Sequence, residues 1–354
     1  MSAFGVYVHI PFCAQRCDYC AFATWTDRGH LQTAYLNALR SDIVRAALPA
    51  VSSVFVGGGT PTLVDPAHLG EVLRTIPTTA DAEVTIECNP DDVTVEMLST
   101  YRAAGVNRVS IGVQSMVPHV LASLGRTHVP ANVDQAVAGV REAGIPTFNL
   151  DLIYGAAGES LADWRTTLEG AIALRPTHIS AYALTIEAGT PLAEQPNRHP
   201  DDDDLADKYE LADELLTAAG LANYEVSNWA LAGHECKHNM LYWQQGNYRG
   251  FGSAAHSHAD GRRWWNVRTP ERYIAAVTQG ESTEAASETL DEGTRRTEGL
   301  QLAIRMREGV PAAALSVEAM AAEGLEDLIE SDGVRVRLTQ RGRLLANEVS
   351  LRLR

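Results

Sequence analysis

Residues 6–20 read Val-Tyr-Val-His-Ile-Pro-Phe-Cys-Ala-Gln-Arg-Cys-Asp-Tyr-Cys. The run Val6–Ile10 is β-branched and aromatic, which predicts a short strand, and Pro11 ends it. Further runs of the same kind predict strands over Ser53–Val56, Glu83–Glu87, Arg108–Val113, Thr147–Leu152 and His178–Ala183. Amphipathic stretches between them predict helices over Thr33–Ala47, Pro66–Thr75, Val93–Ala104, Asn132–Ala143 and Leu161–Leu174. Asp65-Pro66 offers a cap followed by a first-turn proline, and Asn132 offers a cap before an apolar run. Strands alternating with helices at spacings of about thirty residues read as βαβ units around a parallel sheet. Six units fall short of the eight of a closed barrel. The expectation is an α/β fold, a partial (β/α)6 barrel over residues 1–190.

Outward from that barrel, residues 191–290 are read as an α+β extension. Its four consecutive aspartates, Asp201 to Asp204, read as a solvated loop leading into a helix at Leu205–Ala219 rather than a metal site. Residues 291–354 are read as a small helical domain with a β-wing. Helices are expected near Arg295–Arg307, Pro311–Ala322 and Gln340–Leu353, with the wing around Gly333–Leu338. That order is winged-helix-like but lacks the basic face of a DNA reader.

The chain has 354 residues, 45% of them hydrophobic, enough for a large core. A net charge of −16 is ill suited to tracking phosphate backbones, so no nucleic-acid partner is expected. No apolar run approaches the roughly 18 residues of a membrane span, and the start enters strand sequence without the order of an export signal. Five cysteines are an odd set with three clustered, which fits metal-binding thiolates in a reducing compartment. A cytoplasmic location is expected.

Cys13, Cys17 and Cys20 stand at C-x3-C-x2-C spacing in the loop after the first strand. Three thiolates on a short loop can hold three irons of a cubane and leave the fourth open. A three-thiolate zinc site or buried structural cysteines are the alternatives. Ligands in parallel α/β folds bind at the carboxyl edge of the strands. There the second strand ends in Gly57-Gly58-Gly59-Thr60-Pro61, the third in Glu87, the fourth in Gln114 and the fifth in Asp151, with Arg126 following. Taken singly, such residues are often caps or turns. In register they suit ribose hydroxyls and a positively charged amine or sulfonium.

These residues resemble the radical S-adenosylmethionine (SAM) superfamily. The resemblance implies that Cys13, Cys17 and Cys20 bind a [4Fe–4S] cluster whose open iron takes SAM. It narrows to the oxygen-independent coproporphyrinogen oxidase-like group through Gly57–Thr62 (GGGTPT), Ile86–Asp91 (IECNPD), Arg108–Ser115 (RVSIGVQS), Leu124–His128 (LGRTH), Asn149–Gly155 (NLDLIYG) and Tyr224–Trp229 (YEVSNW). From the oxidase branch it carries cofactor contacts to Tyr7, Tyr19, Gly58, Gly59, Thr60, Glu87, Gln114, Arg126 and Asp151.

Two departures point away from the oxidase. Phe22 stands where the oxidase has a further cysteine, and the oxidase has a substantial segment before the first strand whereas this sequence starts almost on it. What remains is similar to a haem-chaperone branch, whose H-N-x-x-Y-W motif is present as His238, Asn239, Tyr242 and Trp243. The resemblance implies haem as cargo, delivered to acceptor proteins such as membrane-bound respiratory enzymes, with a homodimer and a peripheral position at the inner face of the membrane as further expectations. A radical enzyme acting on a tetrapyrrole is the alternative. If this segment is helical, His238 and Tyr242 share one face, and on spacing alone they could equally be packing residues. Cys236 is expected to be a partly exposed, idle thiol, and Cys88 a core residue. His256 and His258 are read as either porphyrin-lining or turn residues.

Overall fold

The structure, a computed structural model, describes residues 3–353. Twelve strands form one sheet: β1 (Phe4–Ile10), β2 (Val51–Gly58), β3 (Thr78–Cys88), β4 (Arg108–Gln114), β5 (Thr147–Tyr154), β6 (His178–Ala183), β7 (Ala222–Glu225), β8 (Asn228–Ala230), β9 (Asn247–Phe251), β10 (His256–Ala259), β11 (Arg262–Asn266) and β12 (Glu284–Thr289). Their order is β12-β11-β10-β9-β1-β2-β3-β4-β5-β6-β8-β7. Strands β1 to β6 pair in parallel, in chain order, around an open barrel. All six expected strands are present. Residues after 220 add to both edges of that sheet: β9 runs parallel to β1 with β10 to β12 beyond it, while β8 and β7 continue past β6 antiparallel.

Side-chain alternation explains what the barrel holds. Val6, Val8, Ile10, Val54, Val56, Val84, Ile86, Val109, Ile111, Leu150, Leu152 and Ile179 belong to one buried core, under the helices. The intervening positions face the lumen, and most are polar: Tyr7, Glu87, Ser110, Asn149, Asp151, His178 and Ser180 line its cavities, with Phe55 and Ile153 the apolar members. A packed (β/α)8 barrel is filled with bulky branched residues. This one is hollow and wet-sided instead.

Helix starts follow their caps. Asp65 accepts from the His68 amide at 2.7 Å. The helix expected from Asn132 begins earlier, at Pro130, because Asn132 sits inside it and accepts from the Val129 amide at 2.9 Å. The aspartate run is a cap. Asp201 accepts from the amides of Asp203 and Asp204, and the helix is Asp202–Ala218, three residues longer at its start than expected because acidic side chains favour a first turn.

Residues 304–353 carry a second apolar cluster, including Ile304, Val310, Met320, Leu328, Val336 and Val349. The expected helix Pro311–Ala322 is shorter: Val310–Pro311 pairs with Arg335–Leu338 as a strand, and the helix is Val317–Ala322, capped by Ser316. The expected helix Gln340–Leu353 is two, Gln340–Leu344 and Ala346–Ser350, broken at Leu345. Arg343 grips Asp213 with both terminal nitrogens, at 3.1 and 2.6 Å, and ties this part to the helix Asp202–Ala218. No helix among the described residues is long and apolar enough to cross a membrane.

Candidate functional site

The cysteine loop is stapled at its ends. Trp25 donates its amide to the Pro11 carbonyl at 2.8 Å, and Cys13 donates to the Trp25 carbonyl at 3.1 Å. The glycine segment lies against it, with the Gly59 amide on the Ile10 carbonyl and the Thr60 amide on the Phe12 carbonyl, both at 2.8 Å. A Cβ on Gly59 would lie 2.6 Å from the Phe12 carbonyl oxygen and 3.0 Å from Cys13 Sγ. Gly58 has φ +111°, and its Cβ would strike the His9 ring at 2.3 Å. The triple glycine is therefore a close approach between two strand ends, not only a turn.

Cys13, Cys17 and Cys20 are half-buried and unpaired. Burial pushes the Cys13 and Cys20 thiols up. Among the described residues, no three His, Cys, Asp or Glu side chains gather at a single-ion site. In a cubane each thiolate meets a different iron, so its three sulfurs need not converge on one point. The donor set fits that group: three sulfurs at the mouth of a cavity that can take the rest of it.

That cavity has a volume of about 560 Å3. Its walls include the three cysteines, Tyr19, Gly58, Gly59, Thr60, Glu87, Gln114, Arg126 and Asp151. Eight of the nine expected cofactor contacts thus face one space. Tyr7 does not: it lies one layer deeper, with its hydroxyl 3.0 Å from His9 Nδ1. Glu87 accepts from the Gly58 amide at 3.1 Å, yet burial, and then Asp151, push its carboxyl up to about 8. Burial raises Asp151 as well, against hydrogen bonds from Ser110 at 2.7 Å and Asn149 at 2.8 Å. Two carboxyl groups that resist ionising beside one another are a ready receptor for a cation. Arg126 reaches Cys17 Sγ at 3.6 Å, Asn89 Oδ1 at 2.7 Å and the Gly112 carbonyl at 3.1 Å.

Glu87, Ser110, Asp151 and Tyr182 also wall a second, inner chamber of about 150 Å3. Its floor is the helix Lys237–Trp243, seated at the amino ends of β1 and β2, where a Cβ on Gly5 would lie 2.6 Å from Leu241. His238, Asn239 and Tyr242 line this chamber; Trp243 does not. His238 is 1% exposed. Its Nδ1 lies 3.0 Å from Ser53 Oγ and its Nε2 2.9 Å from the Tyr242 hydroxyl, and burial lowers it to about 3. The motif is thus a floor, closed and neutral, and its chamber is below the roughly 300–1,000 Å3 of most ligand pockets.

Cys236 is buried rather than partly exposed: it stands at the N-cap position of the floor helix, lines the inner chamber and has Sγ 3.4 Å from Glu83 Oε1. Cys88 is buried in the core. His256 and His258 lie on β10; both ring nitrogens of His258 meet backbone groups, of Gly246 at 2.8 Å and Gly261 at 3.1 Å, while His256 stacks on Trp265. The lumen residues Arg108, Asn149 and His178 and the wall residue Asn89 were not singled out from the sequence. The period-2 alternation of β4 to β6 would have found the first three.

An open parallel barrel with three cysteines after its first strand and a polar cavity at the strand ends defines a radical SAM protein, and the Radical SAM superfamily model matches residues 7–171. The structure resembles that of the Escherichia coli coproporphyrinogen III oxidase HemN, described as a radical SAM enzyme, with a TM-score of 0.83 and 25% identity over 99% of this chain and 89% of that one. The chain is 42% identical to the heme chaperone HemW of Mycobacterium tuberculosis H37Rv, over 98% of this chain and 93% of that protein. It is 40% identical to the heme chaperone HemW of Escherichia coli K12, over 79% of each. The chain belongs to the HemW family.

Proposed function

We propose that this protein binds haem and delivers it to acceptor proteins. The near end-to-end match to relatives named heme chaperone carries the reading. In it, residues 1–190 carry the cofactors, residues 191–290 carry the haem motif, and residues 291–354 are a small C-terminal domain. Cys13, Cys17 and Cys20 hold a [4Fe–4S] cluster. Tyr19, Gly58, Gly59, Thr60, Glu87, Gln114, Arg126 and Asp151 receive SAM, with Tyr7 behind them. When bound, a cubane with one free iron supplies one-electron chemistry at the sulfonium of SAM. Gly58 and Gly59 let the backbone approach the methionyl part. The carboxyls of Glu87 and Asp151, whose ionisation burial disfavours, would be favoured as carboxylates beside its positive charge.

His238, Asn239, Tyr242 and Trp243 contact haem in this reading, and the geometry sets the condition. His238 must leave Tyr242, and the floor helix must move, before an imidazole nitrogen can face iron. The acceptor is a respiratory protein, membrane contact is peripheral, and the working form is a homodimer. Exposed Phe22, at the cavity mouth where the oxidase has a cysteine, supports delivery over decarboxylation.

Two arms test this. Titration with hemin should give saturable binding that His238→Ala weakens. Anaerobically reconstituted protein given coproporphyrinogen III should show no catalytic decarboxylation. Turnover there, or no saturable hemin binding, defeats the proposal.

A further inference from the structure

Two side chains reach toward the cysteine sulfurs. Thr60 Oγ1 lies 3.8 Å from Cys13 Sγ, and Arg126 Nη1 lies 3.6 Å from Cys17 Sγ. Asn89, just past the end of β3, stands between these two donors. Its Oδ1 accepts from Arg126 Nη2 at 2.7 Å, and its Nδ2 lies 3.4 Å from Thr60 Oγ1.

The direction of every bond in this chain is fixed by its one-way member. A guanidinium only donates, so the amide oxygen of Asn89 must face Arg126 and the amide nitrogen must face Thr60. A hydroxyl whose oxygen already accepts from that nitrogen turns its single proton elsewhere, and Cys13 Sγ is the acceptor in reach. Arg126 Nη2 donates to the Gly112 carbonyl as well, at 3.1 Å, so Asn89 and Gly112 together hold that nitrogen while Nη1 faces Cys17. Replacing the amide by any group that accepts at both ends would reverse the Thr60 proton.

We propose that Asn89 is a positioning residue that aims the hydrogen bonds donated to Cys13 and Cys17, and so raises the reduction potential of the cluster they hold. The proposal rests on the cubane reading above. Donors to cluster sulfurs favour the more reduced, more negative state. Asn89 acts through Thr60 and Arg126.

The test is a double-mutant cycle read as the cluster's midpoint potential, followed by electron paramagnetic resonance on the full-length reconstituted protein. Asn89→Asp keeps an acceptor for Arg126 but offers a second one to Thr60, drawing its proton from Cys13. The added charge would lower the potential on its own, so the same change is made in a Thr60→Val background, where no hydroxyl remains to turn. The expected result is a lower midpoint for Asn89→Asp, with a clearly smaller drop in the Thr60→Val background. Equal drops in the two backgrounds, or no drop, overturn the relay alone. Wild-type protein that assembles no cluster overturns it together with the reading beneath it.

Discussion

Glu87 is packed into a wall that penalises its charge, and that gives the site a pH signature. Its carboxyl is raised to about 8 by burial and by Asp151. A group that keeps its proton in the folded state while the unfolded chain loses it stabilises the fold at low pH, and that contribution falls as pH rises toward the folded value. Cofactor-free wild type should therefore lose stability between about pH 4.5 and 8, at up to about 1.4 kcal/mol per pH unit from this group. Glu87→Gln should remove that part of the slope in urea titrations. An unchanged slope would mean that the carboxyl is already ionised. The cysteines belong to the same scale: changing any one of Cys13, Cys17 or Cys20 to Ala should bring bound iron and inorganic sulfide close to zero after anaerobic reconstitution. All these residues were legible in the sequence because strand ends are where the fold gathers them. Asn89 was not, since its importance lies in what it touches.

Elements carry two further expectations. Gly59→Ala puts a Cβ 2.6 Å from a backbone oxygen of the cysteine loop, while Gly29→Ala meets nothing within 4 Å. The first should lower iron and sulfide loading and the second should not; equal loading would show that the loop yields to the added methyl. The floor helix Lys237–Trp243 holds His238 shut through Tyr242. Tyr242→Phe removes a hydrogen bond of about 1 kcal/mol and should speed hemin association by about fivefold, if release of that nitrogen limits binding. A stopped-flow rate equal to wild type would place the barrier elsewhere. In the sequence the helix was only a condition for His238 and Tyr242 to share a face, and its seat beneath β1 and β2 could not be read at all. That seat is fixed by Gly5, Ser53 and Glu83, which lie on other strands far away in the chain.

Across the whole molecule, the parallel core was legible because β-branched runs repeat with helices between them. The sheet's outer strands were not. Strands β7 to β12 have three to six residues each, too short for alternation to separate them from loops. They find their places by pairing with β1 and β6, a tertiary choice. The C-terminal part is pinned by Arg343 on Asp213, a pair only 17% and 14% exposed. Arg343→Ala leaves Asp213 without its cation and should cost about 2 kcal/mol in urea unfolding, less than a fully buried pair. No loss would mean that the apolar contacts alone hold the two parts together.

The most direct measurement is electron paramagnetic resonance of the anaerobically reconstituted, reduced protein with and without SAM. A cubane signal that changes when SAM is added is the predicted result, because one iron is free to take it. Protein that carries zinc, or no inorganic sulfide, or a cluster signal indifferent to SAM, would contradict it.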